Sequence, residues 1–303
     1  MYRLKFLSAY PFIWVISRTP FPLLYLFSDF LFFVLYYLVR YRRKVVRSNL
    51  RLVFPTKHRN EIKTLEHKFY RHFCDIFLET VKTLSISEAE LKARFTFQNI
   101  EVLRAYENAN ESVIILFPHY ANWEWATALN LHLKGKGYGI YQPLVNPYFD
   151  KMVRYIRARF GGTLITTKET REVVAKNRAE KIHAIYGILT DQSPRPTQAY
   201  HWSSFMGITV PMHTGAEYMS KTLNLPVLYL KVTKIKRGYY TSEFSVLAHN
   251  PNDFKNYAIT DAFFRATEQS ILEQPEFYLW SHRRWKHRDK DRENFTKPQP
   301  IKN

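Results

Sequence analysis

A single cysteine, Cys74, stands in a chain of 303 residues. It excludes an intrachain disulfide and a cysteine-rich zinc site, and it fits a reducing compartment. Only 9 glycines occur and low-complexity tracts are absent, which excludes repeat and fibrous architectures. Acidic residues are scarce: 26 Asp and Glu against 45 Lys and Arg leave a formal net charge of +19. A field of that sign implies anionic partners, whether phospholipid, phosphorylated lipid, an acidic carrier protein or nucleic acid. What is abundant is apolar: 46% hydrophobic and 17% aromatic residues build a substantial core and exclude disorder.

One long apolar run is present. Pro20–Val39 (PFPLLYLFSDFLFFVLYYLV) carries no Lys or Arg and one acid, Asp29. As a helix it is about 30 Å long, the thickness of a bilayer core. Arg40, Arg42, Arg43, Lys44 and Arg47 follow, and by the positive-inside rule they put the remainder on the cytoplasmic side. Arg3, Lys5 and Arg18 on the other flank reduce the asymmetry. Asp29 is at odds with a simple span, since mid-membrane it costs roughly 2.5–3.5 kcal/mol; a tilted or half-inserted helix relieves it. Residues 1–45 are thus expected to form a membrane anchor and 46–303 the catalytic domain.

After a largely helical stretch over 45–95, apolar strands and helices alternate. Strands are predicted at Ser112–Phe117, Gly139–Gln142, Ile182–Thr190 and Pro226–Thr233. Helices are predicted at Asn122–Lys134, Pro147–Phe160, Lys168–Arg178, Thr214–Asn224 and Asp253–Gln274. This order predicts an α/β fold with a mainly parallel sheet, in which functional groups gather where strands end.

Polar clusters fall at those ends. Directly after SVIILF comes PHYANWEW, with His119 and Glu124 five apart. Chance alone supplies about one such pair in this composition. The two can meet if His119 lies in the turn and Glu124 in the first helical turn, with Asn122 as N-cap. An ionised Glu124 holding one imidazole nitrogen leaves the other free as general base toward an alcohol. HExxH is absent, so zinc is not expected. Asn146 and Asp150 open a helix bearing Arg154, Arg157 and Arg159, cations suited to phosphates or a developing oxyanion. Asp191-Gln192 ends the strand IHAIYGILT.

Together HYANWE, YQPLVNPYFDKMVRYIRARFGG, TDQSPRP with FMGITVPMHTG, YLWSHRRWK and RRKVVRSNLRLVFP resemble, in order, the bacterial lipid A biosynthesis (lauroyl/myristoyl) acyltransferase family. The resemblance covers about residues 20–288. It implies an αβα layered glycerolipid-acyltransferase-like fold and a catalytic H-x4-E dyad at His119 and Glu124. It also implies an acyl carrier protein or acyl-CoA donor, a glycolipid acceptor, membrane lipids as partners, no cofactor, no metal and no nucleic acid. The site would lie at the inner membrane on its cytoplasmic face. Arg157 falls on an active-site position of the family, and Asp191 becomes a site residue that positions an arginine. Asn122, Asn146, Arg154, Arg159 and Gln192 are the remaining substrate-binding candidates. Phe205, Gly207 and Thr214 match pocket-shaping positions, and YLWSHRRWK is expected at a lipid headgroup surface. Gln142 replaces an arginine common in the family, removing one cation. Two other readings remain open: the same transfer to a different glycolipid or aminolipid, and a membrane-tethered basic protein that grips anionic polymer.

Overall fold

A computed structural model describes residues 1–290. Helix α1 (Tyr2–Arg18) leads into α2 (Phe21–Phe33), which ends in a π-helical turn over Val34–Leu38. Then come α3 (Arg43–Val53), α4 (Arg59–Lys82) and α5 (Glu88–Arg94). The alternating part comprises β1 (Phe95–Phe97), α6 (Glu101–Asn108), β2 (Val113–Phe117), β3 (Lys136–Tyr141), α7 (Pro147–Ala158), β4 (Thr163–Thr166), α8 (Thr170–Ala179) and β5 (Ala184–Leu189). The hairpin β6 (His201–Phe205) and β7 (Ile208–Met212), then α9 (Gly215–Leu223), β8 (Val227–Lys236), β9 (Tyr239–Ala248) and α10 (Ala258–Glu273), complete it.

Seven strands form one sheet in the order β1-β9-β8-β2-β5-β3-β4. Every pairing is parallel except β8 with β9, so the α/β, parallel-dominated expectation holds. Strand β2 is buried from Val113 to Leu116, as an apolar run flanked by two parallel neighbours should be. Its register with β5 pairs Phe117 with Leu189. The segments that follow these residues therefore leave the carboxyl edge side by side.

The apolar run near the N-terminus contains one helix, Phe21–Leu38, long and apolar enough to cross a membrane. It is packed on the body along one face. Leu24, Phe32 and Tyr36 join the same core as β2, and Ser28 donates to Asp75 on α4 at 2.7 Å. The opposite face leaves Leu23, Leu26, Phe30, Phe33, Leu38 and Val39 exposed. Asp29 has a partner that its sequence neighbours do not provide. Arg237, at the tip of the β8–β9 hairpin, donates to both of its oxygens at 3.0 and 2.9 Å and also grips Asp75. That tip requires glycine next to it: Gly238 has φ +76°, and a Cβ there would lie 2.0 Å from the Tyr25 hydroxyl.

The helix predicted over Asn122–Lys134 is corrected to a 3-10 helix over Trp123–Leu131. Asn122 caps it, accepting from Trp125 N at 3.0 Å. Strands β1, β4 and β9 and the β6–β7 hairpin are additions to the expected elements.

Candidate active site

The segment after β2 turns sharply. Ala121 takes a left-handed conformation (φ +48°), which costs a non-glycine residue roughly 1–2 kcal/mol. The strain is held by backbone bonds to the C-terminal segment: Ala121 N to Phe277 O at 3.0 Å and Leu279 N to His119 O at 3.1 Å. The turn aims the His119 ring at the end of β5. There Asp191 Oδ1 accepts from His119 Nδ1 at 2.7 Å. Asp191 is 1% exposed and the imidazole 17%. With Nδ1 protonated, Nε2 keeps its lone pair, and Gln192 Nε2 donates to it at 3.2 Å. The Trp123 ring stands edge-on to the imidazole at 5.3 Å.

Glu124 is not the carboxylate on the imidazole, which corrects its expected orienting role. Arg157 from α7 takes it in a fork, Nε to Oε2 at 2.8 Å with a second bond from Nη2, and Trp123 Nε1 adds a third at 3.1 Å. The two carboxylates have exchanged roles: Asp191 holds the histidine and Glu124 the arginine. Burial would raise both carboxyls. For Glu124 the Arg157 charge and hydrogen bonds outweigh it, for Asp191 the His119 contact does, and both stay below the usual carboxylate range.

Other expected binding residues disperse. Asn122 is fully buried, and its amide donates to Glu79 Oε2 at 2.7 Å, so it supports the site from beneath and cannot touch substrate. Burial pushes the Glu79 carboxyl up to about 7. Asn146 caps α7, accepting from Tyr148 N at 3.0 Å. Arg159 turns away to the Thr83 carbonyl. Arg154 is exposed on α7.

The YLWSHRRWK stretch, expected at a headgroup surface, packs most of its large side chains inward as a clamp. Tyr278, Trp280, Arg284 and Trp285 are buried, and only Arg283 and Lys286 of the basic residues emerge. Arg284 lies against the faces of Phe205 and Phe264 and donates to Met212 Sδ. His282 Nε2 accepts from Ser193 N at 3.2 Å, and Ser193 Oγ donates to Arg284 O at 2.7 Å. One segment thus fixes both the His119 turn and the loop carrying Asp191 and Gln192. To accept, the His282 ring must be neutral; burial pushes it down to about 4, and it does the same to His213. The aromatic-basic alternation was visible in the sequence, but only its partners reveal which side chains face inward.

Two depressions are each lined by a residue that touches the His119 ring, one by Trp123 and the other by Gln192. A narrow apolar cavity runs under the 3-10 helix, lined by Ile115, Phe117, Leu129, Ile140 and Leu189, with Glu124 and Arg157 also in its wall. Gly187 lies in its side, with the Phe117 ring 3.4 Å from where a Cβ would stand. A wider polar cleft of about 1010 Å³ holds Gln142, Lys168, Gln192, Arg195 and His213. A base between an apolar channel and a polar cleft can activate a hydroxyl from one side against a chain seated in the other.

Comparison with known proteins agrees in kind. The family model described as bacterial lipid A biosynthesis acyltransferase matches residues 2–287. A lipid A biosynthesis acyltransferase of Haemophilus influenzae is 24% identical over 252 residues, 82% of this chain and 78% of the relative. The lipid A biosynthesis palmitoleoyltransferase of Escherichia coli is 20% identical over 289 residues, 91% of this chain and 89% of its own length. The lauroyltransferase of the same organism is 21% identical, with the same coverage. The chain is an acyltransferase and belongs to the bacterial lipid A biosynthesis acyltransferase family.

Proposed function

We propose that this enzyme moves a fatty acyl chain from an acyl thioester, carried by acyl carrier protein or coenzyme A, to a hydroxyl of a lipid A precursor at the cytoplasmic face of the inner membrane. The observation that carries the reading is the 2.7 Å contact between Asp191 and His119, whose ring touches Trp123 of the apolar cavity on one side and Gln192 of the polar cleft on the other. In this reading residues 1–45 seat the protein in the bilayer and the described residues from 46 onward form an αβα-type catalytic domain.

The acyl chain lies in the apolar cavity with its thioester carbonyl near the mouth. Gln192 yields Nε2 of His119 to the acceptor hydroxyl. As the hydroxyl oxygen attacks the carbonyl, Nε2 takes its proton, and Asp191 stabilises the imidazolium. The tetrahedral intermediate collapses, the carbon–sulfur bond breaks, and the imidazolium returns the proton to the departing thiolate. The enzyme forms no covalent intermediate. Glu124 and Arg157 shape the cavity mouth, and the fork keeps the guanidinium beside the developing negative charge.

Intact-lipid mass spectrometry of deletion and wild-type cells tests the acceptor. The expected result is lipid A lacking one acyl chain, restored by the wild-type gene and not by His119→Ala. Unchanged lipid A with a different lipid altered would move the same chemistry to another glycolipid or an aminolipid. A fully active His119→Ala enzyme would end the mechanism.

A further inference from the structure

Two of the three arginines expected to receive phosphate are engaged elsewhere, Arg157 by Glu124 and Arg159 by the Thr83 carbonyl, and the third, Arg154, stands exposed on α7. A different cation cluster is built into the fold. Between α2 and α3 the chain passes through two left-handed residues, Arg40 (φ 54°) and Arg42 (φ 50°). Non-glycine residues in that region carry strain that gathers at functional positions. The turn borders an open cleft of about 1000 Å³ lined by Arg40, Arg42, Lys44, Arg51, Arg283 and Arg288. Its floor is stiffened from below. Glu66 on α4 is fully buried and holds Arg43 and Arg47 at 3.0 and 2.8 Å. Arg42 is tied to Ser281 O at 3.0 Å. The first turn of α3, which opens beside the cleft, carries no acidic residue, so its positive end adds to the field.

We propose that this cleft binds the phosphate of a lipid headgroup. Two features favour a headgroup over an acidic protein. The site borders the exposed apolar end of α2 at Leu38 and Val39, so a ligand with its chain in the bilayer presents its phosphate at the cleft. Its far wall is the 281–284 stretch, which also holds the Gln192-Ser193 loop beside His119. The phosphate arrives either on the acceptor or on bulk phospholipid. In the first form the inference rests on the acyl-transfer reading; in the second it stands apart from it.

The test uses the full-length enzyme and the variant Arg40→Gln/Lys44→Gln/Arg51→Gln, three exposed cations outside the catalytic site. Binding is measured to vesicles of phosphatidylcholine alone and of phosphatidylcholine with phosphatidic acid. Kinetics are measured in neutral detergent with a phosphorylated acceptor and the same acceptor after phosphatase treatment. Each cation at such a surface is worth roughly fivefold, so the triple change should weaken phosphate-dependent binding about 10²-fold. A raised KM for the phosphorylated acceptor, with kcat and the dephosphorylated acceptor unaffected, assigns the phosphate to the acceptor. Unchanged KM with lost binding to phosphatidic acid vesicles assigns it to the bilayer. Wild-type behaviour in both arms, or a loss confined to affinity for acyl carrier protein, overturns the proposal. If the triple variant melts early, Lys44→Gln and Arg51→Gln singly, each expected at about fivefold, decide between the same outcomes. A wild-type enzyme inactive on every lipid A precursor would sink the acyl-transfer reading and leave the vesicle comparison intact.

Discussion

His119 and Asp191, 72 residues apart in sequence, meet at 2.7 Å because β2 and β5 run parallel and end together, with Phe117 beside Leu189. The relationship separates the two carboxylates by task. Asp191→Asn should lower kcat about 10²–10⁴-fold with little change in KM, since an amide favours the wrong imidazole tautomer. The Glu124→Gln loss should combine with that of Asp191→Asn, because Glu124 acts through Arg157. Steady-state kinetics of the singles and the double variant check this. Losses that merge into one would return Glu124 to the imidazole.

Chain-length preference should follow Gly187. A valine there projects into the apolar cavity beside the Phe117 ring. Each methylene that no longer fits forfeits about 0.8 kcal/mol, so excluding two favours the shorter donor by roughly tenfold. Competition between acyl thioesters of graded length, read by mass spectrometry, measures the change. An unaltered profile would move the acyl chain out of this cavity.

Acid should loosen the clamp around the site. His282 and His213 are held neutral in the folded protein, down to about 4, while the unfolded chain titrates near 6.5. Between those values the unfolded state binds more protons, so their contribution is full above about pH 6.5 and is lost as pH falls toward 4. Glu79, raised to about 7 by burial, acts in the opposite sense: its contribution is present at low pH and is lost as pH rises through 7. Thermal melts across this range should fall on the acid side, and the acid slope should flatten in His213→Gln. A slope equal to wild type in that variant would remove His213 from the account.

Removing residues 1–39 should destabilise the body as well as weaken membrane binding. The cut takes Leu24, Phe32 and Tyr36 from the shared core, and it strips Arg237 of Asp29. A truncated protein that melts like the full chain would mean that α2 is an appendage.

Local pattern explains what could be read from the sequence. SVIILF, the strand IHAIYGILT and the α7 run with its Asn146 cap carry their periodicity and end signals within themselves, and they fold close to the expected bounds. Which carboxylate touches His119 depends on strand order and register, and spacing within PHYANWEW cannot encode that. The same limit hid the partner of Asp29, which arrives from residue 237. Arg284 was misleading for a different reason: an arginine among tryptophans resembles an interfacial side chain, and only the aromatic faces of Phe205 and Phe264 make its burial intelligible.

The Asp29–Arg237–Asp75 bridge joins the apolar helix to a sheet hairpin and to α4 at one point. With α2 lodged in a bilayer as proposed, the depth of that helix sets the altitude of His119. The protein then cannot lean down toward its acceptor as a domain on a slack tether would. On that reading acceptors would be sorted by how far their hydroxyl rides above the acyl chains, and a lipid with the right chemistry at the wrong height would be refused without any contact in the pocket.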